Sequence, residues 1–136
     1  MIEKFENENF FLSNYFPCKV TYNGLTYGSS EAAYQAQKCP ERAKEFTALD
    51  PDDSKKLGRK VKIRYDWEAV KEQIMTEIVH AKFTQNKDLG KRLTETGEEE
   101  LVEGNWWKDT YWGVCDGVGQ NKLGKILMAI RGTLKS

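Results

Sequence analysis

A helix-dominated α+β fold, carried by one domain with a short N-terminal β-hairpin, is what this chain of 136 residues predicts. Three observations lead there. Apolar residues return at helical spacing in several separate stretches, and a run near the N-terminus alternates apolar and polar residues about an Asn-Gly pair. Third, the length suits a single core that buries roughly two-thirds of the surface exposed by the unfolded chain.

The alternating run is Cys18 to Tyr27. Asn23-Gly24 at its centre tolerates the positive φ angles of a type I′ turn, so a hairpin is expected. Ser29 and Ser30 offer capping oxygens to a helix reaching about Cys39, where Pro40 cannot continue the hydrogen-bond ladder. A short helix is expected over 41–49. Asp50-Pro51-Asp52-Asp53 opens another that finishes near Gly58, with negative charge at its positive dipole end. Residues 61–65 read as a possible extended segment.

Asp66 is expected to cap the longest helix, 67–84. With Trp67 set at zero and about 100° added per residue, Val70, Ile74, Ile78 and Ala81 fall within about 60° of it and define the expected buried stripe. A further helix covers 88–95 and ends at Gly97. Strands are expected over 99–103 and 111–115. Asn121 then caps a last helix in which Leu123, Ile126, Leu127, Ile130 and Leu134 recur at helical spacing.

The totals exclude several classes. Lys plus Arg (21) equals Asp plus Glu (21), so bulk charge advertises neither a nucleic-acid nor a membrane partner. Cys18, Cys39 and Cys115 lack the pairing of a disulfide framework or a thiolate zinc site, which fits a reducing cytoplasm. No apolar leader or membrane span is visible. Metal ligands do not cluster, and neither a P-loop nor a dinucleotide fingerprint is present, so no metal and no cofactor are expected. The single histidine, His80, faces away from the expected stripe, which argues against a histidine relay.

Four groups of residues can carry chemistry. Trp106, Trp107 and Trp112 crowd into seven residues around Lys108 and Asp109, with Gly113 directly after. Those rings either close a small core or form a wall for a flat ligand. On the 30–39 helix, Glu31, Gln35 and Lys38 share one stripe, which is either an ordinary solvated face or part of a site. Lys71 and Lys82 lie on the shoulder of the expected stripe of the long helix. Each either snorkels to water or, if covered, becomes an amine of lowered pKa able to form a Schiff base. Gln85 and Asn86 close that helix as caps or as amide ligands for a sugar hydroxyl or base edge, while Arg59 and Arg64 are the best candidates to grip a phosphate.

These pieces, in this order, resemble the NADAR family, also called YbiA-like. The resemblance runs through Phe11-Leu-Ser-Asn-Tyr-Phe-Pro17, the Ser30-Glu31…Tyr34-Gln35…Lys38 helix, Gly58-Arg59, Arg64 to Trp67, Lys82-Phe83…Gln85-Asn86, Asp109…Trp112-Gly113 and Gly119…Asn121…Leu123-Gly124. It spans nearly the whole chain, as a single domain over 1–136. It departs at Ala32, where many relatives carry histidine. The resemblance implies an N-glycosidase that hydrolyses the bond between a ribose carbon and a nitrogenous base, without metal or cofactor. The implied substrate is a small nucleotide-like molecule, such as a phosphoribosylamino-pyrimidine intermediate of riboflavin synthesis, or ADP-ribose on guanine in nucleic acid. It further implies Glu31 and Asp109 as acids, Lys82 or Lys38 as an amine that traps the opened ribose, and Asn14, Tyr34, Gln35, Arg59, Trp67, Phe83, Asn86, Trp107, Trp112, Gly113 and Asn121 as substrate-binding residues. The competing expectation is a module that binds ADP-ribose or NAD without turnover.

Overall fold

The computed structural model describes residues 1–135. It resolves into two compact units, a sequence-central one of residues 14–86 and a terminal one built from residues 1–13 with 87–135.

In the central unit the expected hairpin forms. Strand β1 (Val20–Tyr22) pairs antiparallel with β2 (Leu25–Tyr27) in the register Val20↔Tyr27, Thr21↔Thr26, Tyr22↔Leu25. Asn23 and Gly24 take φ of 49° and 83°, the two positive values a type I′ turn needs. Val20 and Tyr27 are buried, which fixes the register, because a one-residue slip would turn both to water.

Helix α1 (Ser30–Ala36) starts where expected, with Ser29 extended and its hydroxyl accepting from Ala32 N at 3.0 Å. It stops three residues early. The N–H groups of Gln37, Lys38 and Cys39 turn to the carbonyls three residues back, tightening the chain before Pro40. The segment after that proline is a 3₁₀ helix, Pro40–Phe46, and not the α-helix expected over 41–49. Helix α2 (Pro51–Gly58) matches its expectation, with the Asp50 carboxylate accepting from Asp53 N at 2.7 Å. Residues 61–65 form no strand; Arg64 N donates to Lys38 O at 2.8 Å and ties this stretch to the end of α1.

Helix α3 (Trp67–Gln85) is the longest element. Asp66 stands at its N-cap without capping it, because the Arg64 guanidinium takes both carboxylate oxygens at 2.6 and 3.0 Å. The buried face is also rotated from the expected one. Trp67, Ile74, Met75, Ile78, Val79, Lys82 and Phe83 are buried, while Val70 and Ala81 are half-exposed. On the helical wheel this arc runs from Trp67 to about 160°, so Lys82, at about 60°, sits within it and not on its shoulder. The cause is coverage from two sides, since α3 packs against both α1 and β1. At its C-terminus Gln85 behaves as a strand partner, accepting from Thr21 N and donating to Thr21 O, both at 2.8 Å.

The terminal unit opens with a 3₁₀ helix, Asn7–Leu12. Helix α4 (Lys87–Glu95) ends before Gly97, whose φ of 67° suits glycine. The strand expected over 99–103 is reduced to a single parallel bridge between Ile2 and Leu101. Strand β3 (Gly104–Asn105) pairs in parallel with β4 (Val114–Cys115), so only the end of the strand expected over 111–115 exists. Helix α5 (Lys122–Leu134) packs on α4 and buries Leu123, Leu127 and Ile130, with Ile126 and Leu134 half-exposed. Asn121 stands at its N-cap in a left-handed conformation, φ 52°, and does not cap it. Its amide instead accepts from Glu103 N at 3.0 Å and donates to Leu101 O at 2.9 Å. Among the described residues no helix is long and apolar enough to cross a membrane.

Candidate functional site

The central unit gathers most of the candidate residues around α1. Every residue of this helix is buried, because Ala32, Ala33 and Ala36 let it press against its neighbours. Asn14 anchors its start. The Asn14 carbonyl accepts from Glu31 N at 3.0 Å, its Oδ1 accepts from Ser30 Oγ at 2.8 Å, and its Nδ2 donates to Met75 Sδ at 3.5 Å.

Glu31 and Gln35 are only 9% and 4% exposed, so the ordinary solvated face is ruled out for both. Gln35 Nε2 donates to Glu31 Oε2 at 2.7 Å, the i, i+4 contact that the stripe predicts. Gln35 Oε1 has no hydrogen-bond partner and lies against Gly58, where a Cβ would stand 2.1 Å from it. Glycine at position 58 is therefore what allows α2 to close on α1.

Lys38 follows α1. Burial lowers the pKa of its ammonium, the charge of Glu31 opposes that shift, and Arg59, Lys55 and Lys71 reinforce it. Its Nζ stands 6.0 Å from the Trp67 ring centroid, and Trp67 tilts against Tyr34 with centroids 5.1 Å apart. Tyr15 belongs to the same neighbourhood. Desolvation holds its phenol up to about 12, helped by Glu31 and Asp52 and opposed by Arg59. Sequence reasoning passed over Tyr15, although it sits beside Asn14 in the Phe11 to Pro17 stretch. An acid, an amine, a phenol and a guanidinium thus share one field with two rings.

Lys82 occupies a different setting. It is fully buried, so snorkelling is ruled out, and desolvation lowers its pKa to about 8, with Cys18 acting in the opposite sense. Its ammonium lies 5.0 Å from the Phe83 ring centroid and 5.8 Å from that of Phe16. Asn86 Nδ2 donates to Lys19 O and Lys82 O, each at 2.9 Å, so that amide works as a strut between α3 and the residue that precedes β1.

In the terminal unit the aromatic loop is organised by carboxylate and amide side chains. Asp109 Oδ1 accepts from Tyr111 N at 3.1 Å and Trp112 N at 2.9 Å. Asn105 brackets Asp109, accepting from its N–H at 3.0 Å and donating to its carbonyl at 2.9 Å. These bonds draw the backbone away from a strand ladder, which is why β4 is short. Gly113 has no space for a side chain, since a Cβ would lie 2.3 Å from Glu103 O. Trp106 and Trp107 are 81% and 46% exposed and meet edge to face at 5.6 Å, so they close no core. Trp112 and Tyr111 pack edge to face at 4.8 Å, with Lys122 Nζ 5.2 Å from the tyrosine ring centroid. Among the described residues no group of three or more His, Cys, Asp or Glu is placed to hold a metal ion.

Compared with known proteins, residues 2–135 match the model of the NADAR domain. The chain belongs to the NADAR domain family. Its NADAR relatives include a riboflavin biosynthesis protein of Vibrio vulnificus, 40% identical over 131 residues, a match to 92% of this chain and 35% of that protein. The chain therefore spans about a third of the length of that relative. The N-glycosidase YbiA of Shigella boydii is 36% identical over 125 residues, covering 88% of this chain and 78% of its own, and an N-glycosidase of Nostoc punctiforme is 35% identical over 133 residues, covering 91% and 85%. The NMR structure of Escherichia coli YbiA matches with a TM-score of 0.85 at 31% identity over 99% of this chain and 87% of that one. The helix-dominated α+β fold with its short hairpin is thus the fold of a NADAR protein.

Proposed function

We propose that this NADAR protein is an N-glycosidase in which Glu31 drives cleavage of the bond between a ribose carbon and a nitrogenous base. The class rests on relatives named N-glycosidases at 35–36% identity over most of the chain. The observation that carries the role of Glu31 is its burial with one oxygen fixed by Gln35, in the field of Lys38. In the reaction the C1′–N bond breaks, the base nitrogen gains a proton and water supplies hydroxyl to C1′. A fixed carboxyl group serves this step by proton exchange with the leaving nitrogen or by stabilising positive charge on the ribose ring.

The amine reading is consistent with both lysines. Burial favours the neutral form of each, and a pKa near 8 leaves about a tenth of Lys82 neutral at pH 7. Lys38 is the better candidate to trap an opened ribose as an imine, being half-buried beside Glu31's charge where Lys82 is fully covered. Asp109, Trp107 and Trp112 belong to the terminal unit, where the exposed Trp107 ring is proposed to offer a stacking face to a heterocycle. The substrates proposed are a phosphoribosylamino-pyrimidine intermediate or ADP-ribosylated guanine. One domain over 1–136 and a cytoplasmic location, suited to three free thiols, complete the reading.

Incubation of the protein with each substrate, followed by chromatography of the released base, tests the proposal. Glu31→Gln is expected to slow release by about 10²–10⁴-fold, the usual span for removing a general acid. No release from either substrate by folded wild-type protein rejects the proposal. Borohydride trapping of a protein–sugar adduct that survives in Lys38→Met moves the amine elsewhere.

A further inference from the structure

We infer that Lys55 and Lys71 join Arg59 and Lys38 in a subsite for the phosphate groups of a phosphorylated sugar, an assignment that rests on the N-glycosidase reading for its substrate. The geometry lies entirely in the central unit. Lys55 in α2 and Arg59 at its C-cap lie one turn apart, four residues along the chain. Neither forms an ion pair with a carboxylate among the described residues, and neither does Lys38. Two of the acids at the start of α2 are already engaged. Asp52 pairs with Lys56 at 3.4 Å, and Asp50 caps the helix through Asp53 N.

Contact of Gly58 with Gln35 seats this end of α2 on α1, and the charges of Arg59 and Lys55 reach Lys38 there. From α3 comes Lys71, one turn beyond the Trp67 ring that Lys38 overlies. Its side chain is mostly covered, and Nζ is held by Glu68 at 2.7 Å. The negative end of the α2 dipole accounts for cations at positions 55 and 59 but not for those at 38 and 71.

Like charges drawn together beside one buried acid oppose folding, and an anionic ligand relieves them. A phosphate suits the group better than a carboxylate. It carries close to two negative charges and three terminal oxygens, which a guanidinium fork and several ammonium groups satisfy together. The sugar of such a ligand then lies near Glu31, where the proposed bond cleavage needs it.

Calorimetric titration with inorganic pyrophosphate tests the assignment without turnover. Wild-type protein is expected to bind one equivalent, and Lys55→Gln/Lys71→Gln to bind about tenfold more weakly with a ligand-free melting temperature no lower than that of wild type. Lys55→Gln alone, at a half-buried site, gives a smaller loss in the same direction and guards against a folding defect in the double variant. Lys60→Gln/Lys62→Gln, which removes the same charge from exposed positions, is expected to bind as wild type does. Absence of pyrophosphate binding by wild type, or an equal loss in that control, overturns the subsite. Base release separates the two readings: a KM raised in Lys55→Gln/Lys71→Gln for a phosphorylated nucleotide but not for its nucleoside supports the subsite. Pyrophosphate binding with no release from any substrate leaves the subsite standing and rejects the N-glycosidase reading; release without pyrophosphate binding does the reverse.

Discussion

The central and terminal units hold their candidate residues by opposite means. In the central unit the ionisable groups are set by burial: Glu31 and Lys82 are inside, and desolvation is the first cause of the shifts at Lys38, Lys82 and Tyr15. In the terminal unit Asp109 is held by backbone donors in a half-exposed loop whose tandem tryptophans, Trp106 and Trp107, face water. Desolvation alters what a group does, whereas a loop bond alters mainly where it points. Substitutions in the first unit should therefore change pH behaviour and stability together, and those in the second should leave both nearly intact.

Lys82 gives the largest contrast. Its folded pKa, about 8, lies below the ordinary 10.5. Below pH 8 both folded and unfolded chains carry the charge, and the folded one bears its full desolvation cost. Between pH 8 and 10.5 the unfolded state binds more protons, so stability rises with pH, by about 2–3 kcal/mol at pH 10. Lys38 shifts in the same direction. Tyr15 works the other way above pH 10, because its phenol keeps a proton to about 12 that the unfolded chain has already lost. Urea midpoints at pH 7.5 and 9.5 measure the slope. Lys82→Met should flatten it, and an unchanged slope in that variant would show that Lys82 is not the source.

Gly58→Ala comes next and breaks the central unit at the contact between α1 and α2. The new Cβ would stand 2.1 Å from Gln35 Oε1 and 3.0 Å from its Cδ, so the amide must move away and release Glu31. Overpacking of this kind costs about 1–3 kcal/mol, and slower base release should accompany it. The double variant Gly58→Ala/Gln35→Ala restores the space. Its loss of stability should be smaller than the sum of the two single losses, and strict additivity would mean that the two residues are not in contact.

Local signals in the sequence agree with the fold where their cause is local. Asn23-Gly24, Ser29, Asp50-Pro51 and Gly97 each mark a turn or helix end that the fold contains. Where fold and sequence part, the cause is distant in the chain. Asp66 and Asn121 are good capping residue types at helix starts, yet Arg64 claims one and the Leu101–Glu103 backbone claims the other, and both partners are visible only in three dimensions. The burial of Lys82 is hidden for the same reason, since periodicity alone implies one packing neighbour for α3 and the helix has two. Glu31, Gln35 and Lys38 were legible as a stripe, but the periodicity of a seven-residue helix cannot say whether that stripe faces water. Tyr15 and Lys55 carry no spacing signal at all, and Lys71 is legible only as a shoulder position on the long helix.

Asp109 sharpens the comparison from the other side. Its Oδ1 accepts two backbone N–H groups, a task an asparagine oxygen can take over. Asp109→Asn should keep stability within about 0.5 kcal/mol of wild type, while Asp109→Ala loses about 1 kcal/mol by abandoning both donors. Thermal melts of the pair separate the turn from the charge. If Asp109→Asn melts like wild type but releases base far more slowly, the negative charge takes part in the reaction; equal rates confine Asp109 to shaping the loop.

The smallest effects on stability belong to the tandem tryptophans. At 81% exposure Trp106 buries little, so Trp106→Ala should change stability by no more than about 0.5 kcal/mol. Trp107 is more covered, and its edge-to-face contact with the water-exposed Trp106 stands at the low end for such pairs, about 0.5 kcal/mol. If either ring stacks on a base, its removal should weaken substrate binding by about 1–3 kcal/mol with the melting temperature unmoved. That separation of affinity from stability is available only because these rings are exposed, and no substitution at Glu31 or Lys82 can provide it. Fluorescence titration of Trp106→Ala and Trp107→Ala with a nucleotide reads it out. Wild-type affinity in both variants would assign the pair to neither core nor ligand.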